Sequence, residues 1–139
     1  NNFYSKWSNN SLVLEKWFEM MSILNIKGEG INFIKKLLSH NAFDYKSPNK
    51  IRSVLGVFQR ENVLLFHAND SSGYNFVSEQ ICLIDSFNSQ AAARLVLPLT
   101  RFNNYTDDRK KKMKNSLSEI YNKKKISSDL SEIIAKALK

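Results

Sequence analysis

Apolar residues recur three and four positions apart along nearly the whole chain, a spacing that commits it to helices. Only two prolines and four glycines interrupt its 139 residues, and few windows alternate as a half-buried strand would. The stripes are Leu12, Leu14, Trp17, Phe18, Met21 and Leu24; Ile31, Ile34, Leu37 and Leu38; and Ile51, Val54, Leu55 and Phe58. They continue as Phe76, Val77, Ile81, Ile84 and Phe87; Met113, Leu117, Ile120 and Tyr121; and Leu130, Ile133, Ile134 and Leu138. Gly28 and Gly30 permit a tight turn after the first stripe. Ser47 and Pro48 open the third helix, the serine as a cap and the proline at a first helical position. A short helical piece follows at 63–66, and a longer helix begins near Ser72.

Asn88 caps a helix expected from Ser89 to about Asn103. Its stretch from Ala91 to Leu99 is apolar nearly all the way round, which predicts cover on more than one side and a kink at Pro98. Thr106 caps the next helix, with Asp107 and Asp108 in its first turn and Lys123 to Lys125 at its end, charges that complement the helix dipole. The expected fold is all-α. About seven helices in stacked antiparallel pairs form a short, irregular α-superhelix (ARM/HEAT-like), one domain over residues 1–139, with no exact repeat.

Cys82, the single cysteine, sits among Ile81, Leu83 and Ile84 and is expected to pack as a small apolar side chain. That usage suggests a reducing, intracellular setting, the cytoplasm. No apolar run approaches a membrane span. The opening Asn1-Asn2-Phe3 lacks an initiator Met, which suggests a fragment, an excised domain or a processed product.

A net charge of +8 raises nucleic-acid binding. Much of the excess lies in Arg109 to Lys112, Lys114 and Lys123 to Lys125, which read as a solvated face rather than a phosphate track. Neither His40 nor His67 has a His or Glu at the spacing that sets two ligands on one helix face, so no zinc site is expected of this chain alone. His67 reads as a turn-capping or satisfied core histidine. No Gly-x-Ser-x-Gly elbow or Gly-rich phosphate loop is present. Two arginines stand out. Arg52 flanks the apolar stripe of its helix, four residues before Gly56, and Arg94 sits in the most apolar helix. Each either pairs with a carboxylate or exposed carbonyls between helices, or faces a cleft where its forked donors bind a carboxylate or peptide carbonyls.

Several short motifs, in order, carry a resemblance. They are Glu15-Lys16-Trp17-Phe18; Leu37-Leu38-x-His40-x-Ala42-Phe43; Pro48 to Ser53 with Gly56 and Phe58; Phe66-His67-Ala68; Ser72-Gly73-Tyr74; Ala93-Arg94-Leu95 with Pro98-Leu99; and Lys136-Ala137-Leu138. From about Leu12 to Leu138 the chain resembles the C-terminal helical domain of bacterial aminopeptidase N, a zinc metallopeptidase family. The resemblance implies a parent enzyme that removes N-terminal residues from peptides, with zinc held by a His-Glu-x-x-His helix in a separate domain and none bound by this chain. It implies a superhelical, non-catalytic domain, inactive alone, that closes over the catalytic domain of the same polypeptide and walls off the peptide cavity. Arg52 and Arg94 match family arginines that face that cavity, so peptide substrates become partners and nucleic acid does not. Two positions depart from the pattern: Ser71 stands where a glycine is common, and Ser89 where a proline often starts a helix. The alternative is a freestanding helical adaptor that binds protein or nucleic acid through its Lys-rich helix.

Overall fold

A computed structural model describes residues 10–139. Among these residues every regular element is helical, as the periodicity requires. The chain divides into two compact units, Asn1–Phe66 and His67–Lys139.

In the first unit, α1 (Ser11–Ser22) buries Leu14, Trp17 and Phe18. Asn10 caps it by accepting from the Val13 amide at 3.1 Å. The glycine turn follows, with Gly28 at φ +84° and Gly30 at +54°, both in the left-handed region that a side chain disfavours. Next, α2 (Ile31–Leu38) buries Ile34, Leu37 and Leu38. Beyond it, His40 Nδ1 accepts from the Ala42 amide at 3.0 Å, and the imidazole ring lies 5.1 Å from Trp17 and 5.8 Å from Phe18. Phe43 meets Phe18 edge-to-face at 5.8 Å. Two of the ordered motifs, around Trp17 and around His40, are thus halves of one aromatic lock between α1 and the turn after α2.

Ser47 caps α3 (Pro48–Ile51), accepting from the Lys50 amide, with Pro48 in the first turn. The helix then widens into a π segment, Arg52–Gly56, and resumes as α4 (Val57–Glu61). The periodicity gave no sign of this widening. Asn62 ends the run, and α5 (Val63–Phe66) closes the unit.

The second unit opens with a turn and α6 (Ser72–Asp85). Asn88 caps α7 (Ser89–Leu95), as expected, accepting from the Ala91 amide at 3.0 Å. The single helix expected to reach Asn103 is instead three pieces: α7, α8 (Leu97–Thr100) and a 3-10 turn, Phe102–Asn104. Pro98 explains the break, since it suits the first turn of α8 and cannot donate within a continuing helix. The region is also not covered all round. Ala92, Leu95, Val96 and Leu99 are buried, but Leu97 and Arg94 are exposed.

Last come α9 (Asp107–Tyr121) and α10 (Ser128–Leu138). Thr106 holds the cap position of α9 without a side-chain bond. Lys123 to Lys125 fall beyond the helix end rather than in its last turn. The α10 cap is built from two elements. Ser127 accepts from the Leu130 amide, while the buried Asp85 of α6 accepts from the Ser127 amide at 2.8 Å and from its hydroxyl. Several positions read as core are exposed at the stripe ends, namely Leu12, Leu24, Phe87 and Tyr121.

Candidate functional site

The π segment sets the surroundings of Arg52. Its widened turn sends the Val57 N–H back to the Arg52 carbonyl, five residues earlier. The Ser53 carbonyl, which would take that amide in an α-helix, accepts instead from the buried Ser22 hydroxyl of α1 at 3.4 Å. Such widened turns recur where helices carry function. The Arg52 side chain lies over Gly56: a Cβ at that glycine would stand 3.4 Å from Arg52 Cγ. That is ordinary contact distance, so the arginine packs over the glycine without requiring it. Its Nη2 stands 4.0 Å from Oε1 of Glu15 on α1, yet the Arg52 side chain keeps 54% of its surface exposed while that of Glu15 keeps 11%. A carboxylate neighbour and an open guanidinium coexist here. The separation is too long for a forked hydrogen bond and leaves donors for another acceptor.

One further group on α4 went unread in the sequence. Gln59 is 4% exposed, and among the described residues neither its carbonyl nor its amide nitrogen has a hydrogen-bond partner. An unpaired buried amide costs about 1–3 kcal/mol. A polar residue beside a helical stripe carries no sign of whether it faces inward.

Arg94 is exposed in the last turn of α7, where a cation suits the C-terminal end of the helix. Among the described residues it makes no ion pair. The inter-helix carboxylate of the plainer reading is absent for Arg94. Arg52 belongs to the first unit and Arg94 to the second.

The Lys-rich helix is engaged within its own unit. Arg109 donates to the His67 carbonyl and, at 3.4 Å, to Asn69 Oδ1. Lys112 donates to the Asn69 carbonyl at 2.7 Å and pairs with Asp108 at 3.1 Å. Lys114 stands over the Phe102 ring, 5.4 Å from its centroid. Arg109 and Lys112 hold the turn from His67 to Asp70, whose Asp70 carboxylate accepts from the Ser72 amide at 2.9 Å. Ser71, the departure from the glycine pattern, carries a left-handed φ of +66°.

His67 is a satisfied histidine. Its Nδ1 bonds the hydroxyl of the fully buried Tyr74, and its ring stacks on Tyr105 at 4.8 Å. Burial, then the Arg109 charge, lower its pKa from 6.5 to about 4, so the ring is neutral at pH 7. Burial raises the Tyr74 phenol, which keeps that hydroxyl protonated to donate to the ring.

Cys82 lines a groove of about 520 Å³ between α6 and α9, with Ser78, Glu79, Glu119 and Lys123. It is half-buried rather than packed in the core. Burial raises its thiol pKa, the reverse of an activated nucleophile. Among the described residues no three His, Cys, Asp or Glu side chains gather to hold a metal, and His40 and His67 are both engaged elsewhere.

An all-α array of short antiparallel helices is a helical repeat module. The whole chain, residues 1–139, matches a family described as a domain of unknown function (DUF3458_C) with ARM repeats, and it belongs to that family. Aminopeptidase N of Escherichia coli is 38% identical over 133 residues, which cover 96% of this chain and 15% of the relative. Aminopeptidase N of Haemophilus influenzae is 35% identical over 98% of the chain and 16% of its own length. A crystal structure of Legionella pneumophila aminopeptidase A in complex with aspartic acid superposes with a TM-score of 0.90 at 31% identity, over 99% of this chain and 16% of that one. The chain therefore corresponds to the C-terminal helical domain of aminopeptidase N, and it spans about one-sixth of these relatives' length.

Proposed function

We propose that this chain is the non-catalytic wall of a zinc aminopeptidase that removes N-terminal residues from peptides. It closes over the catalytic domain of the same polypeptide, encloses the peptide cavity, and presents Arg52 and Arg94 to the bound peptide. The observation that carries this reading is the match to aminopeptidase N over 96% of the chain. The open guanidinium groups support it. The catalytic domain, not this one, would hold a zinc ion, which would supply an activated water. This domain excludes bulk water, limits entry to free peptide ends, and sets forked donors against peptide carbonyls or the C-terminal carboxylate. The single cysteine supports a cytoplasmic parent.

In the full-length parent, Arg94→Ala should lower kcat/KM on peptides about 10- to 100-fold, the loss of one charge-assisted contact of about 1.5–3 kcal/mol, with zinc content unchanged. Wild-type kinetics on peptides of several lengths would overturn the role. The adaptor reading is weakened at Arg109, Lys112 and Lys114, which are engaged within the second unit.

A further inference from the structure

Helix α1 reaches the widened turn at two points. Glu15 and Ser22 lie two helical turns apart on α1, so they share one face, with the fully buried Phe18 between them. Ser22 bonds the Ser53 carbonyl inside the π segment. Glu15 stands 4.0 Å from Nη2 of Arg52, the residue that opens the segment. The face that packs α1 against the π segment therefore also sets a carboxylate behind the arginine.

The two charges are placed unequally, Glu15 nearly buried and Arg52 half open. A ligand can reach the guanidinium far more readily than the carboxylate behind it, yet it feels both. Water screens a nearly buried carboxylate poorly, so its field opposes that of Arg52 at the opening. A guanidinium balanced in this way keeps the fixed fork of its donors and loses much of its pull on a second anion. Its N–H groups remain for a neutral acceptor, because the contact with Glu15 is too long to occupy them.

We infer that Glu15 is a specificity-determining residue. By balancing the charge of Arg52, it makes the arginine take the backbone carbonyls of a peptide without selecting a C-terminal carboxylate or an acidic side chain. The inference rests on the reading of Arg52 as a peptide-facing group, and it chooses between the two acceptors which that reading allows. It suits peptides of differing length, since carbonyls recur along a chain whereas the terminal carboxylate stands at one place.

The full-length parent supplies the test, with one tripeptide prepared as the free acid and as the C-terminal amide. Arg52→Ala comes first and should raise KM for both forms. No change in either would overturn the peptide-facing reading itself, and the inference with it. Glu15→Gln then removes the charge and nearly keeps the shape. The preference for free acid over amide, as a ratio of kcat/KM, should rise about fivefold at low ionic strength, the effect of one unit charge across several ångströms of partly solvated protein. The rise should shrink in about 0.5 M salt, which a merely structural defect would not do. Glu15→Met, also uncharged, repeats the measurement if the glutamine protein is unstable. An unchanged ratio in a folded Glu15 variant, with Arg52→Ala still raising KM, overturns the inference and leaves the wall reading standing. A rise that is equal at low and high salt overturns it as well.

Discussion

Arg52 and Arg109 are both cations on helix surfaces, and they lead opposite lives. Arg109 turns its donors onto its own unit, to the His67 carbonyl and Asn69. Among the described residues Arg52 meets Glu15 at 4.0 Å and stays half open. The contrast shows that a count of basic residues says little about binding. What matters is whether the donors already have backbone acceptors. Two cations of the helix richest in lysine clamp a turn of their own unit, while Arg52 has donors to offer.

The clamp predicts the largest effect. Arg109→Ala leaves the His67 carbonyl without its charged donor and should destabilise the protein by about 2 kcal/mol in chemical denaturation. Arg52→Ala, the loss of a partly exposed and loosely paired cation, should stay within about 0.5 kcal/mol. Equal losses would erase the contrast.

The same clamp gives a pH dependence. The folded-state pKa of His67 is depressed from 6.5 to about 4, so the unfolded chain takes up this proton first. The contribution of His67 is fully present above about pH 6.5 and is lost as pH falls toward 4. For a half-buried, solvent-screened ring the loss is on the order of 1–2 kcal/mol. Arg109→Ala should move the His67 titration upward in an NMR experiment, since it removes one of the two causes. An unmoved titration would show that burial acts alone.

A smaller gain is expected near Arg52. Gln59→Met replaces an unpartnered buried amide with an apolar side chain of similar volume and should stabilise by about 1 kcal/mol. A loss would mean that the amide has a partner in the folded protein. Smallest is Ser71→Gly, which relieves the left-handed φ of +66°. It should add roughly 0.5 kcal/mol, offset in part by the flexibility of glycine in the unfolded chain.

Much of the helix order was legible in the sequence. The caps at Ser47 and Asn88 and the glycine turn follow from local chemistry that single residues determine. The core was legible where a stripe is central, as at Trp17 and Phe18, and misleading at stripe ends such as Leu12 and Phe87. An end position faces inward only if a neighbour reaches it, which is a tertiary fact. Pro98 marked an interruption but left its form open, because a proline suits a kink and a helix start alike. The π segment was invisible, since one widened turn shifts a stripe by less than the stripe's own width. Arg52 and Arg94 stood out in the sequence as cations set against apolar stripes. The neighbour Glu15, the engaged state of Arg109 and the orphaned Gln59 required tertiary packing to appear.

The most direct test measures peptide KM and thermal midpoint together for Arg52→Ala and Arg109→Ala in the full-length parent. The account predicts a crossed result: Arg52→Ala raises KM about tenfold with an unchanged midpoint, and Arg109→Ala lowers the midpoint with an unchanged KM. An Arg52→Ala protein that melts early and binds peptides normally would contradict it.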